Sequence, residues 1–186
     1  MNTSQLAIQS ASQIPRLGLA PEAPQWYAVH TKSRHEKRVA ARFEEIQICT
    51  FLPLVRQIHK WSDRQSTVEL PIFSCYAFVR MVQTVEERLK VLRTPGVLGF
   101  VGSERQGTPI PREQIESLQT AIRECIPCFP HPFIKAGRRV RIRGGSLDGV
   151  EGILKRQGKG QSLIVSVELL QRSVSIRVEG YDIELV

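Results

Sequence analysis

What this 186-residue chain lacks narrows its function before any motif is read. No apolar run approaches the roughly 20 residues needed to span a bilayer. The first residues carry neither a basic stretch nor an apolar core of a secretory signal, so the expected setting is the cytoplasm. Cysteine is scarce, with four in the chain, and a cytosolic protein keeps its thiols reduced, which excludes a disulfide framework. Cys125, Cys128 and His131 lie close together in sequence, but a structural zinc site wants four ligands and the fourth would have to come from a distant segment. Reduced thiols, no metal and no cofactor are expected. No P-loop, GxSxG or HExxH pattern occurs, and the acidic residues fall mostly on helix faces, so no enzyme is expected. Acid is also in deficit: 18 Asp and Glu stand against 26 Lys and Arg, giving a net charge of +8 and a pI near 9.7. A basic protein of this size meets an acidic partner, nucleic acid first.

What is present is organised. Positive charge is concentrated at both ends of the folded length: residues 26–60 and 133–186 each carry a balance of +4, and the middle is near neutral. That favours two separate basic surfaces. Residues 1–25, rich in Ser, Gln, Ala and Pro, are expected to form a disordered leader. Residues 26–31 are aromatic and β-branched, a strand pattern. Ser33 and Glu36 have the spacing of a capping box ahead of a helix carrying Val39, Phe43 and Ile46. A second strand is predicted over 50–57, a polar hairpin loop over 60–67 and a strong strand over 75–81. Thr84 and Glu87 form a second capping box for a helix that Pro95-Gly96 ends. A strand at 97–101 and a third helix from Pro111, with Ile115, Leu118 and Ile122 on one face, complete the segment. The order strand-helix-strand-strand-helix-strand is the split β-α-β, ferredoxin-like arrangement. Residues 124–134, with three prolines, are predicted to be an interdomain linker. The remainder reads as five short strands, which suits a small barrel.

The stretch from Arg138 to Arg156 is the most specific. Val140 and Ile142 alternate with Arg139, Arg141 and Arg143; a Gly144-Gly145-Ser146-Leu147-Asp148-Gly149 turn follows, and Val150, Gly152, Ile153 and Leu154 open a second strand. This resembles the KOW motif of transcription and ribosomal proteins. Trp26-Tyr27, the basic first helix, Leu70 through Val79, and Pro95-Gly96-Val97-Leu98-Gly99-Phe100-Val101-Gly102 precede it. Taken together, residues 26–186 resemble the NusG family of transcription elongation factors.

The resemblance implies an α+β chain: a ferredoxin-like NGN domain at 26–123, a linker at 124–134 and an SH3-like KOW β-barrel at 135–186. It implies a monomeric elongation or antitermination factor with no membrane association. The NGN domain would bind the clamp helices of the largest RNA polymerase subunit through His30, Phe73, Tyr76 and Phe78. By strand alternation Tyr76 and Phe78 share one face, which is either interface or core. Lys32, Arg34, His35, Arg38 and Arg42, bordered by Arg93 and Thr94, would contact non-template DNA in the transcription bubble. Leu147, Gly149 and Val150 would offer a partner surface on the barrel for a ribosomal protein or a termination factor. Ser74-Cys75-Tyr76 stands where general members commonly read Pro-Gly-Tyr, which points to a specialised paralog.

Two further expectations follow. Strict alternation at 163–169 and 173–178, with helix-disfavouring glycines at 144, 145, 149 and 152, predicts a pre-formed barrel instead of a helical hairpin. An exposed polymerase surface without autoinhibition is expected with it. The alternative function is a ribosomal or general RNA-binding KOW protein, in which Arg138, Arg139, Arg141 and Arg143 grip RNA.

Overall fold

A computed structural model describes residues 23–60, 65–102, 107–134, 137–157 and 160–186. Most of the expected leader, and the tip of the hairpin expected at 60–67, lie outside the described residues.

Strand β1 (Gln25–Thr31) is central because both its faces are apolar: Trp26, Tyr27, Ala28 and Val29 are all buried. It pairs antiparallel with β5 (Tyr76–Met81) and β6 (Val97–Phe100), while β2 (Cys49–Phe51) pairs with the outer side of β5. The order β2-β5-β1-β6, with short β7 (Pro109–Ile110) also on β1, is the expected ferredoxin-like sheet. Helices α1 (Glu36–Glu45) and α2 (Val85–Leu92) belong to this half. Val39 and Phe43 of α1 and Val91 of α2 join Tyr27, Val29, Val79 and Met81 in one buried cluster, so both helices cover the same sheet face.

The strand expected at 50–57 is two strands. β2 stops at Phe51, and β3 (Leu54–Lys60) leaves as one arm of a hairpin with β4 (Gln65–Pro71). Pro53 lies at the break; it has no N–H for a ladder, and its carbonyl instead accepts the N–H of Ile72 at 2.9 Å.

The two capping boxes behave differently. Thr84 Oγ1 accepts the Glu87 N–H at 3.2 Å, as expected. Ser33 does not cap α1. The helix starts at Glu36 after His35, with no side-chain cap, because Arg34 takes a left-handed backbone (φ +62°) that sets Ser33 outside the helix. Glu36 turns inward instead.

The opposite sheet face, carrying Trp26, Ala28 and Phe78, is covered by α3 (Arg112–Arg123), whose Ile115 and Leu118 are fully buried. On its other side α3 touches β10 (Glu151–Gln157), β11 (Gly160–Val167) and the turn at Gly145–Leu147. These strands belong to a six-stranded antiparallel sheet of order β13-β9-β10-β11-β12-β8, with β9 (Arg138–Arg143), β12 (Arg172–Arg177) and β13 (Asp182–Leu185). Val140, Ile142, Leu163, Val165, Val174 and Ile176 alternate inward and share one core. Gly152 is required where β10 meets β11: a Cβ there would lie 2.5 Å from the Ile164 carbonyl oxygen. The pre-formed β structure expected from alternation is therefore present.

The linker expectation needs correction. Cys128–Pro132 forms β8 and pairs with β12 from Ile176↔Cys128 to Arg172↔Pro132. Prolines at 130 and 132 obscured it, yet a strand paired on one side only can hold them where no ladder N–H is needed. Through α3 and β8 a single buried cluster runs from Trp26 to Val178.

Candidate functional site

The four aromatic-surface residues divide into two pairs. Phe78 is fully buried, stacked on Phe51 at 6.0 Å and met edge-on by Phe73 at 6.0 Å and 85°. Phe73 is buried as well. Phe73 and Phe78 are thus core in this arrangement, which corrects the expectation of a surface role: they share a buried cluster with Ile115 and Leu118 of α3, and Ile72 and Phe73 line a cleft with Pro130, Pro132 and Arg172 of the six-stranded sheet. Two of the four residues expected to form an exposed aromatic surface are therefore covered, contrary to the expectation of a fully open one. His30 is exposed and Tyr76 half-buried, their rings 5.3 Å apart and inclined at 30°. They sit opposite each other in the β1–β5 register.

The basic patch is mostly as expected. Lys32, Arg34, Arg38, Arg42 and Arg93 are exposed and His35 is half-buried. Among the described residues none of these arginines is paired with a carboxylate, whereas Lys37, Arg56 and Lys90 are. Lys90 donates to Glu87 at 3.0 Å, and this bond and its charge raise the ammonium pKa. Gly96 brings the loop after α2 against α1: the Lys32 N–H donates to its carbonyl at 2.8 Å, and with φ +102° a Cβ would lie 2.9 Å from Val39. Arg42 of α1 and Ile46, just after its end, thereby line one cleft with Lys90, Arg93 and Pro95. Thr94 is a correction. It is buried, and its hydroxyl donates to the Lys90 carbonyl at 3.0 Å, closing the end of α2.

The turn between β9 and β10 is also not free. Leu147 and Val150 are buried and only Gly149 is exposed. The Glu151 N–H donates to Ser117 Oγ of α3 at 3.2 Å, and Glu168 N–H donates to Gln114 Oε1 at 3.2 Å. Gly149 and Val150 share a cleft with Thr120 and Arg123 of that helix. Of the arginines that would grip RNA, Arg141 is paired with Glu151 and Arg143 with Glu184; Arg138 and Arg139 remain exposed.

Sequence reasoning missed Glu36 as an inward-facing acid and α3 as a helix with two covered sides. The second covered side is made by Gln114 and Ser117, polar residues that left no apolar pattern to find. Among the described residues no cluster of His, Cys, Asp and Glu could hold a metal ion, and no helix is long and apolar enough to cross a membrane.

Comparison with known proteins gives a consistent result. The model of the family described as "Transcription termination factor nusG" matches residues 24–119. The transcription termination/antitermination protein NusG of Staphylococcus aureus strain Mu50 is 27% identical over 177 residues, covering 87% of this chain and 96% of that protein, and its counterpart in strain N315 matches equally. A structure of Thermotoga maritima NusG, described as showing domain interaction, aligns over 88% of this chain and 97% of its own with 25% identity and a TM-score of 0.48. A family match over just over half the chain, spanning the sheet, the basic helix and the hairpin on which the site is built, leaves one conclusion: the chain belongs to the NusG family.

Proposed function

We propose that this protein is a transcription elongation or antitermination factor that binds RNA polymerase through the NGN half and touches non-template DNA in the bubble. His30 and Tyr76 supply the exposed aromatic contact with the clamp helices. Aromatic rings bury large area at low entropy cost, which suits an interface anchor. Arg34, Arg38, Arg42 and Arg93 supply phosphate contacts. The observation that carries this reading is that a NusG-family domain presents both the His30–Tyr76 ring pair and exposed arginines with no carboxylate partner among the described residues.

The barrel is the recruiting arm. Its turn at 145–150 lies against α3, so a ribosomal protein or termination factor gains access to Leu147 and Val150 only when the barrel leaves that helix. A specialised role is supported by Ser74-Cys75 in place of the Pro-Gly that general members commonly carry.

The test is co-purification with the full-length protein. Core polymerase in the bound fraction, lost on Tyr76→Ala, is expected. Ribosomal subunits without polymerase would support the RNA-binding reading, to which Arg138 and Arg139 are still available.

A further inference from the structure

Glu36 takes no part in the surface just described, yet it is only 5% exposed. It is the first residue of α1, where the helix dipole favours an acid. Its Oε1 accepts the backbone N–H of Cys75 at 2.7 Å. A carboxylate holds such a donor more strongly than a neutral acceptor does. Cys75 has φ +69°, a left-handed conformation that glycine adopts freely and a residue with a Cβ adopts under strain. The next contacts pin the same turn. The Cys75 carbonyl accepts the Thr31 N–H at 2.8 Å, and the Phe73 carbonyl accepts the Tyr76 N–H at 3.2 Å. The turn is therefore gripped by α1 on one side and β1 on the other, and what leaves it is Tyr76, whose ring meets His30.

We infer that Glu36 is a positioning residue: its carboxylate holds Cys75 in the left-handed conformation and so fixes where Tyr76 stands against His30. The functional consequence rests on the reading of that pair as a polymerase contact. The role is specific to a chain with a Cβ at position 75. With glycine there the turn is unstrained and the grip of Glu36 matters less.

The test uses the full-length protein as wild type, Glu36→Ala, Glu36→Gln, Cys75→Gly and the Glu36→Ala/Cys75→Gly double variant. Three quantities are read: the nuclear Overhauser contact between the His30 and Tyr76 rings, the melting temperature, and the affinity for core polymerase. Glu36→Ala is expected to lose the ring contact and to bind about tenfold more weakly, the scale of one charge-assisted hydrogen bond. Glu36→Gln, which keeps an acceptor without charge, should fall between. Adding Cys75→Gly to Glu36→Ala should restore the ring contact and most of the affinity. If Glu36→Ala does not fold, Glu36→Gln with and without Cys75→Gly makes the same comparison. A lower melting temperature with the ring contact and affinity unchanged means a structural role only, and overturns the inference. So does a ring contact that is lost and not restored by glycine. If the ring contact follows the series but wild type does not bind polymerase, Glu36 keeps its positioning role and the polymerase reading fails instead.

Discussion

Ser117 on α3 accepts the backbone N–H of Glu151 on β10 at 3.2 Å, and the helix that covers the first sheet is thereby tied to the second. Ser117 is buried at the seam between α3 and β10, where a longer charged side chain would have to lose its water or push the two elements apart. Ser117→Arg should therefore open the contact between α3 and the barrel. Small-angle scattering should show a larger radius of gyration, and amide spectra should show the barrel tumbling independently. The Glu151 N–H then returns to water, so the loss is expected to be small on the scale of about 1–3 kcal/mol that a buried orphaned donor would cost. Unchanged scattering would mean that the contact does not hold the halves together.

Phe78 and Tyr76 separate core from surface. Phe78→Ala removes a fully buried ring stacked on Phe51 and met edge-on by Phe73, and should cost about 3–5 kcal/mol in denaturant unfolding. Tyr76→Ala removes a half-buried ring whose described ring contact is with exposed His30, and should cost clearly less while weakening polymerase binding. Equal stability losses would place Tyr76 in the core with Phe78.

These two rings also mark how far the sequence could be read. Alternation correctly put Tyr76 and Phe78 on one face, but alternation describes one sheet and cannot say what lies over it. The cover, α3, showed an apolar stripe at Ile115, Leu118 and Ile122, and its second contact surface is made of Gln114 and Ser117, polar residues that carry no hydrophobic signal. Strand β8 was hidden for a related reason: its prolines read as linker, and only the pairing with β12 shows that they sit where no N–H is asked for. The cap at Ser33 failed because of the backbone: Arg34 turns left-handed and α1 starts only at Glu36, after His35, which frees the Glu36 carboxylate for the Cys75 N–H. Local patterns predicted elements well; what covers each face depended on contacts between residues far apart in the chain.

The arginine patch predicts a salt signature. Each phosphate contact to single-stranded nucleic acid contributes about 0.7 to the slope of log affinity against log salt. Replacing Arg34, Arg38 and Arg42 by Ala should lower that slope by about 2 for recruitment to a paused elongation complex, if all three touch phosphate. The helix should survive, since Val39, Ala40 and Phe43 provide its buried face. A slope equal to wild type would return these arginines to an ordinary solvated helix surface.

The four cysteines give a chemical test of the segment that proved to be a strand. Cys128 is buried at the start of β8, and desolvation pushes its thiol from an ordinary 9.0 up to about 11. The thiolate is the reactive form, so at pH 8 Cys128 should resist iodoacetamide while exposed Cys49 and Cys125 are modified. Because the folded state raises this pKa, it favours the protonated thiol. The contribution to stability is fully present below about pH 9 and is lost as pH rises towards about 11, where the folded thiol also ionises. Mass spectrometry of the alkylated protein should find Cys128 unmodified until denaturant is added. Modification of Cys128 as fast as Cys125 would show that residues 128–132 are an open linker after all, and that β8 is not held on β12.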